Sequence, residues 1–507
     1  MSETNANASL LLDRNLEAGR GDRVALVTHE GEEVSYAELA ARTHRVAARL
    51  RALGVRREQR VVFVLDDTPA FVASFLGAMR IGAVPIPTNF LARPDDFAYF
   101  LDDAYAEVAI VDAVFLEPLK PFLAERPHVK LVVANGAAPE GAESLDAWMK
   151  DGDAEVAAVA THPDDMAFWL YSSGSTGRPK GVVHSHADIA YACEHYGRSI
   201  IETTADDVCF STTKLFHAYG LGNGLYFPLW VGARAVYLTG RPAPDRALEK
   251  VRAHRPTLLF SVPTLYNAML RDASFDDTDF STVRLGVSAA EPLPPEVWRR
   301  FHERTGVEIL DGIGSTEMLH IYCSNRAGDV KPGTSGTAVP GYELEIRDEA
   351  GQALGRGSSG ELFVRGGSAL SFYWHQPAKT RRALQGAWFA TGDRYHQDED
   401  GAFSYEGRVD DMMKVGGLWV SPIEIENRLM EHDTVHEAAV VGVEVDGLMR
   451  IKAFVIATGD VPDDLAETLR QWCKAALQRY QFPHLVEVVD DFPRTATGKI
   501  QRFALRK

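Results

Sequence analysis

Cysteine is scarce: Cys193, Cys209, Cys323 and Cys473 are the only four in 507 residues. They lie far apart and form no Cys-x-x-Cys pair. That argues against a disulfide framework or a thiolate zinc site, and reduced thiols in the cytoplasm are expected. No segment approaches 18 uncharged apolar residues, so no membrane span is expected. The opening MSETNANASLLLDRNLEAG has no basic stretch ahead of its short apolar patch, and no signal peptide is expected. A basic excess is also missing. The net charge of −18 argues against a nucleic-acid partner. It leaves an anionic substrate open, because local clusters matter more than the sum.

At 507 residues the chain exceeds one ordinary core, and roughly two to four domains are expected. Strand-like and helix-like stretches alternate through the first third. Residues 24–28, 60–65, 83–87, 108–111 and 131–133 read as strands. Ser35-x-x-Glu38 reads as a capping box ahead of Leu39, Val46, Leu50 and Leu53 on one helical face, with Gly54 as C-cap. Residues 69–81 read as a second helix. The rhythm resumes with strands at 208–212, 235–238, 257–261 and 283–287, and helices at 243–254 and 294–304. This predicts an α/β fold of two related units with largely parallel sheets. From about Gly333, short strands at 343–347, 360–364, 388–390 and 402–405 predict a small β-barrel subdomain. Helix 422–431, strands 438–443 and 451–457, and helix 462–479 then predict a small mobile α+β domain. The expected division is 1–409 and 410–507, at the polar turn Arg408-Val-Asp-Asp411.

The most distinctive stretch is YSSGSTGRPKG, residues 171–181. Strands are expected on both sides of it. A Gly/Ser/Thr loop between strands can turn several backbone N–H groups inward and make a concave anion site, with Lys180 and Arg178 adding charge. It is not a Walker A loop, since Pro179 precedes the lysine and a strand, not a helix, follows. Taken alone, the loop also reads as a flexible linker.

Further motifs follow in order: LFHAYG (215–220), SAAEP (288–292), DGIGSTE (311–317), ATGD (390–393), YEGRVDD (405–411), KVGG (414–417) and PRTATGK (493–499). Together with the loop they resemble the adenylate-forming superfamily, which includes acyl- and aryl-CoA synthetases, peptide-synthetase adenylation domains and beetle luciferases. The resemblance runs from about residue 20 to the end.

The resemblance implies a two-step reaction: a carboxylate joins AMP with release of pyrophosphate, and the acyl group then passes to a thiol. It implies that Ser172, Ser173, Gly174, Ser175, Thr176, Gly177 and Lys180 hold the β- and γ-phosphates of ATP, that Thr316 touches the α-phosphate, and that Glu317 holds Mg²⁺. Asp393, with Arg408 close by, would bind the ribose. Ala289, Ala290 and Glu291 and the segment Asp311, Gly312, Ile313 and Gly314 would sandwich adenine. Lys499 would bridge carboxylate and α-phosphate in the first step. Gly416 and Gly417, with Lys414 in the same motif, would serve coenzyme A in the second, after rotation about a hinge at Asp410.

For the acid, the aspartate with which peptide-synthetase domains pair an α-ammonium group is missing from the 215–219 region. The phrases FHAYGLGN, DGIGSTEMLH and KVGGLWVSP look like the benzoate–CoA ligase branch. That implies a small aromatic carboxylic acid, benzoate or a hydroxy- or amino-benzoate, between Ala218, Tyr219 and the Gly312–Gly314 backbone, with His320 at the far wall. Such ligases usually carry Phe at the position of His217, so His217 reads either as a tunnel gate or as a contact to a ring substituent. Short- or medium-chain fatty acids, a luciferase-like oxygenase and a non-catalytic nucleotide binder are the alternatives. A monomer or homodimer is expected.

Overall fold

The computed structural model describes residues 6–172, 178–415, 418–445, 448–459, 461–478, 481–494 and 500–506. Two sheets dominate. The smaller has five strands, all parallel, in the order Val84–Pro87, Arg60–Val64, Ala106–Asp112, Lys130–Ala134, Glu143–Ser144. The larger has nine. Its parallel centre runs Ile309–Gly314, Leu285–Ser288, Leu258–Ser261, Val208–Ser211, Arg234–Val236, Val24–Val27. Helix Pro69–Arg80 is buried along its whole length, as an apolar helix between layers must be.

Three expectations change here. Strand Val24–Val27 precedes the first unit in sequence but joins the larger sheet, with Leu26 opposite Ala235. An apolar strand pattern fixes which face is buried but leaves the partner to tertiary contacts. Those are supplied by Asn15, which donates to Leu229 O at 2.7 Å, and by the Tyr36 hydroxyl, which donates to Ala233 O at 2.6 Å. The capping box is half made. Ser35 accepts from the Glu38 N–H at 3.1 Å, but the Glu38 carboxylate turns to Arg42 at 2.8 Å. Ser35 is still in a strand, opposite Val24. Finally, the short strands after Gly333 form an open antiparallel six-stranded sheet and not a closed barrel. Among the described residues its edges do not meet. One face, with Ile346, Leu362, Val364, Phe389, Tyr395 and Phe403, packs into the same core as the α/β layers, so closure is not needed to bury it.

Past Arg408, helices Pro422–Met430 and Leu465–Ala476 pack on strands Val435–Val445, Leu448–Ala457 and Leu485–Val488 around a core of their own. The last of these strands was not expected from the sequence.

A buried ionic cluster links the two large sheets. Lys214 Nζ lies 2.6 Å from Asp66 and 3.0 Å from Asp67, and donates to Leu238 O at 2.5 Å. Asp67 accepts from the Leu215 N–H at 3.0 Å, at the start of the 215–219 stretch. Burial raises the Asp67 pKa to about 6, against the pull of Lys214. Removing the cation strands two buried carboxylates. The Lys214→Met protein should therefore lose about 3–5 kcal/mol of unfolding free energy. Chemical denaturation tests this, and a loss below about 1 kcal/mol would refute it.

Candidate active site

The 171–181 stretch connects two paired strands. Met166–Ser172 and Lys180–Ser185 pair antiparallel, with Ser172 opposite Lys180. Ser173, Gly174, Ser175, Thr176 and Gly177 lie outside the described residues. Arg178 is exposed, with its guanidinium 5.3 Å from the Tyr99 ring centre. Lys180 turns inward. Its ammonium lies 2.6 Å from Glu317 Oε1 and 3.1 Å from the Tyr373 hydroxyl. That hydroxyl also donates to Glu317, at 2.9 Å. Burial alone would raise the Glu317 pKa, but Lys180 and then Tyr373 outweigh it and hold the carboxyl below its ordinary value. Glu317 is therefore an anion beside a cation, in a site that excludes most water.

Thr316 and Glu317 sit in the short 3₁₀ turn Thr316–Met318, capped by Ser315, whose hydroxyl accepts from the Met318 N–H at 3.2 Å. The turn follows strand Ile309–Gly314. Ser288 and Asp311 pair on adjacent parallel strands. The Ala289–Glu291 and Asp311–Gly314 segments are therefore brought side by side at the carboxyl ends of the strands, where open α/β sheets bind ligands. Ala290 is exposed and has φ of 78°, a strained left-handed conformation for a non-glycine residue. Burial pushes the Asp311 carboxyl well above the usual range. Gly312 and Gly314 have a structural cause beside any ligand: a Cβ would lie 2.8 Å from Cys323 O and 2.6 Å from His320 O.

Asp393 and Arg408 face each other across two strands and bond at 3.0 Å. Thr391 supports the pair: its hydroxyl accepts from the Asp393 N–H at 3.0 Å, and its carbonyl accepts from Arg408 at 3.3 Å. Asp410 lies in the turn Val409–Asp411 and Lys414 in strand Met413–Val415. Gly416, Gly417 and Lys499 lie outside the described residues.

His217 precedes the short helix Ala218–Leu221, and its ring centre is 4.3 Å from that of Phe216. Ala218 is buried. Tyr219 donates its hydroxyl to Val287 O at 3.0 Å and to Ser261 O at 3.3 Å, so the phenol is fixed to the sheet and its ring is left to line a wall. His320 lies 5.5 Å from that ring. It is buried among Tyr196, Tyr226 and Phe227, with Nε2 3.1 Å from Asn223 Oδ1. Burial lowers its pKa to about 3, so it is neutral at ordinary pH. The structure thus brings Tyr219 and His320 together.

Sequence reasoning missed Gly222, Asn223, Tyr226 and Tyr373 as site residues. A Cβ on Gly222 would lie 2.5 Å from His320 Cδ2 and 2.8 Å from the Tyr226 hydroxyl, so this glycine makes the seat for both. An asparagine between two glycines in an apolar run was the available signal.

Residues 12–374 match the AMP-binding enzyme family, and residues 424–499 match the AMP-binding enzyme C-terminal domain. The chain is an AMP-binding enzyme. Among relatives, the benzoate–CoA ligase of Thauera aromatica is 46% identical over 98% of this chain and 94% of its own length. The 4-hydroxybenzoate–CoA/benzoate–CoA ligase of Rhodopseudomonas palustris is 42% identical over 98% and 93%. The crystal structure of the anthranilate CoA ligase AuaEII in complex with anthranoyl-AMP superposes on this AMP-binding enzyme with a TM-score of 0.96. That match has 37% identity and covers 100% of this chain and 97% of the other. No helix among the described residues is long and apolar enough to cross a membrane.

Proposed function

We propose that this enzyme joins an aromatic carboxylic acid, benzoate or a hydroxy- or amino-benzoate, to coenzyme A through an acyl-adenylate. The observation that carries the reading is the meeting of two features at the carboxyl ends of two adjacent strands. The Lys180–Glu317–Tyr373 group follows strand Ile309–Gly314, and the Tyr219–His320 wall is bonded to Val287 on the neighbouring strand. It stands in a chain 46% identical to a benzoate–CoA ligase.

In the first step a carboxylate oxygen of the acid attacks the α-phosphorus of ATP, and the bond to the β-phosphate breaks to release pyrophosphate. Both reactants are anions, so the enzyme's task is positioning and charge compensation, with no protein nucleophile. Ser172 and the loop 173–177 cradle the β- and γ-phosphates, and Lys180 exchanges its partner Glu317 for them. Thr316 meets the α-phosphate. Adenine lies between the 289–291 and 311–314 segments, and Asp393 takes the ribose hydroxyls while Arg408 steadies it. Glu317, an ionised carboxylate, fits Mg²⁺ held by one side chain and phosphate oxygens, a hard-cation arrangement that supplies charge neutralisation. Lys499 bridges the two reacting anions.

In the second step the thiol of coenzyme A loses its proton and attacks the acyl carbon, and AMP leaves. The division at 409/410 is the joint for this change, with Gly416 and Gly417 on the path of the pantetheine arm and Lys414 beside them. Fixing φ at the joint with Asp410→Pro should slow thioester formation more than adenylation. Separate assays of the two half-reactions check this, and equal losses would contradict it.

The neutral His320 suits a flat uncharged ring. Asn223 and Tyr226, gathered with it around Gly222, would meet a ring hydroxyl or amino group. ATP–pyrophosphate exchange over benzoates, heteroaromatic acids and fatty acids tests the choice. Benzoates should give the highest kcat/KM, and a preference for aliphatic acids would overturn the aryl reading.

A further inference from the structure

The mechanism above leaves the buried His184–Asp188 pair unused. His184 is fully buried on strand Lys180–Ser185, four residues after Lys180 and so on the same face of the strand. Its Nε2 lies 2.7 Å from Thr316 O, and its Nδ1 lies 2.7 Å from Asp188 Oδ2. A carbonyl oxygen can only accept, so Nε2 carries hydrogen and donates to Thr316. That leaves Nδ1 facing the Asp188 carboxyl. Asp188 is itself fixed: it accepts from the Ser185 N–H at 3.1 Å and the Ser185 hydroxyl at 2.6 Å, closing the capping box of helix His186–Ala192. The Phe168 ring stacks on the imidazole at 5.5 Å.

The turn that receives this bond is held at each carbonyl. Thr316 O takes His184, Glu317 O takes the Leu370 N–H at 2.7 Å, and Met318 O takes the Ser368 hydroxyl at 2.8 Å. Of these donors only His184 comes from the strand that carries Lys180. One strand therefore grips the turn twice, through Lys180 on the Glu317 carboxylate and through His184 on the Thr316 backbone. Lys180 must let go of Glu317 when phosphates arrive, whereas His184 has no reason to.

We propose that His184, oriented by Asp188, is a positioning residue that keeps the Thr316–Glu317 turn in register with the phosphate loop while Lys180 changes partners. This rests on the adenylation reading of the site. Without it the α-phosphate contact and the metal carboxylate would drift relative to the loop, and misplacement of about 1 Å can cost on the order of 100-fold in rate.

The test compares wild type with His184→Phe, which keeps a flat apolar ring against Phe168 but cannot donate, and His184→Gln, whose amide can still reach Thr316 O. Adenylation kcat, measured by pyrophosphate exchange, should fall by about 10- to 100-fold in the Phe variant and recover in part in the Gln variant. Conversion of supplied aryl-adenylate to thioester should stay near wild type in both. A second readout needs no acid: the rise in Tm on adding ATP should shrink in the Phe variant and return in the Gln variant. Either of two results overturns the proposal: a folded Phe variant with wild-type exchange and wild-type ATP shift, or a Gln variant no better than Phe. If exchange in the wild type favours aliphatic acids, the aryl reading fails while the ATP-shift comparison still decides the role of His184.

Discussion

The Lys499→Ala enzyme should lose acid-dependent pyrophosphate exchange by about 10²–10³-fold, yet still turn supplied aryl-adenylate into aryl-CoA at close to the wild-type rate. The asymmetry follows from charge. The first step brings a carboxylate against a phosphate and builds further negative charge on the α-phosphoryl oxygens, so a cation between them stabilises the transition state more than the ground state; losses of this size are typical for one such group. The second step starts from an adenylate in which that bond is already made. Two ion pairs flank the 495–499 segment in sequence. Gln501 N–H donates to Pro493 O at 2.7 Å. Arg502 holds Glu426 at 2.8 Å on one side of it, and Arg494 bonds Glu437 at 3.2 Å on the other. Burial lowers the Arg494 pKa, but Glu437, then Asp491 and Glu291, more than restore it. Glu291, of the proposed adenine strip, is thus among the charges that act on Arg494. Half-reaction assays decide the matter, and equal loss in both steps would remove Lys499 from its role.

Glu317→Ala should have the second-largest effect and should show it in two ways. Without nucleotide, the variant leaves the Lys180 ammonium buried without its carboxylate, at a cost of about 3–5 kcal/mol in unfolding free energy. ATP, whose phosphates supply the missing anion, should restore part of that loss and so raise Tm by more than it does in the wild type. Exchange should nevertheless fall by about 10²–10³-fold, because phosphates cannot replace the carboxylate toward Mg²⁺. The pH dependence has a definite sign. The folded Glu317 pKa lies below the ordinary value of 4.5, so its contribution to stability is full above that pH and fades as pH falls through the depressed value. Glu317→Gln should therefore lose less stability than wild type on acidification. A parallel acid profile for the two proteins would contradict the ion pair.

The sequence shows the chemistry of this site better than its joinery. The strands on either side of the Gly/Ser loop could be read directly, because strand patterns are local, whereas the Ala289–Glu291 and Asp311–Gly314 strips came only from the family resemblance. The resemblance also put Arg408 close to Asp393, 15 positions away in the chain, and the structure bonds the two. Lys180, Glu317 and Tyr373 lie far apart in the chain, with separations of 137 residues for Lys180 to Glu317 and 56 for Glu317 to Tyr373. Nothing local marks Tyr373 as their third member. His184 and Lys214 were hidden for a related reason: each side chain reaches an atom on another element, and only the packing of layers brings them together. The open β sheet was misjudged because short strands with tight turns look alike whether they close on themselves or lie against a neighbouring core.

The central claim is most directly tested by product stoichiometry with the purified enzyme, benzoate, ATP, Mg²⁺ and coenzyme A. Mass spectrometry should find benzoyl-CoA, AMP and pyrophosphate formed in equal amounts, with benzoyl-AMP accumulating when coenzyme A is left out. Formation of ADP and phosphate, or of AMP and pyrophosphate with no thioester from any aromatic acid, would contradict it.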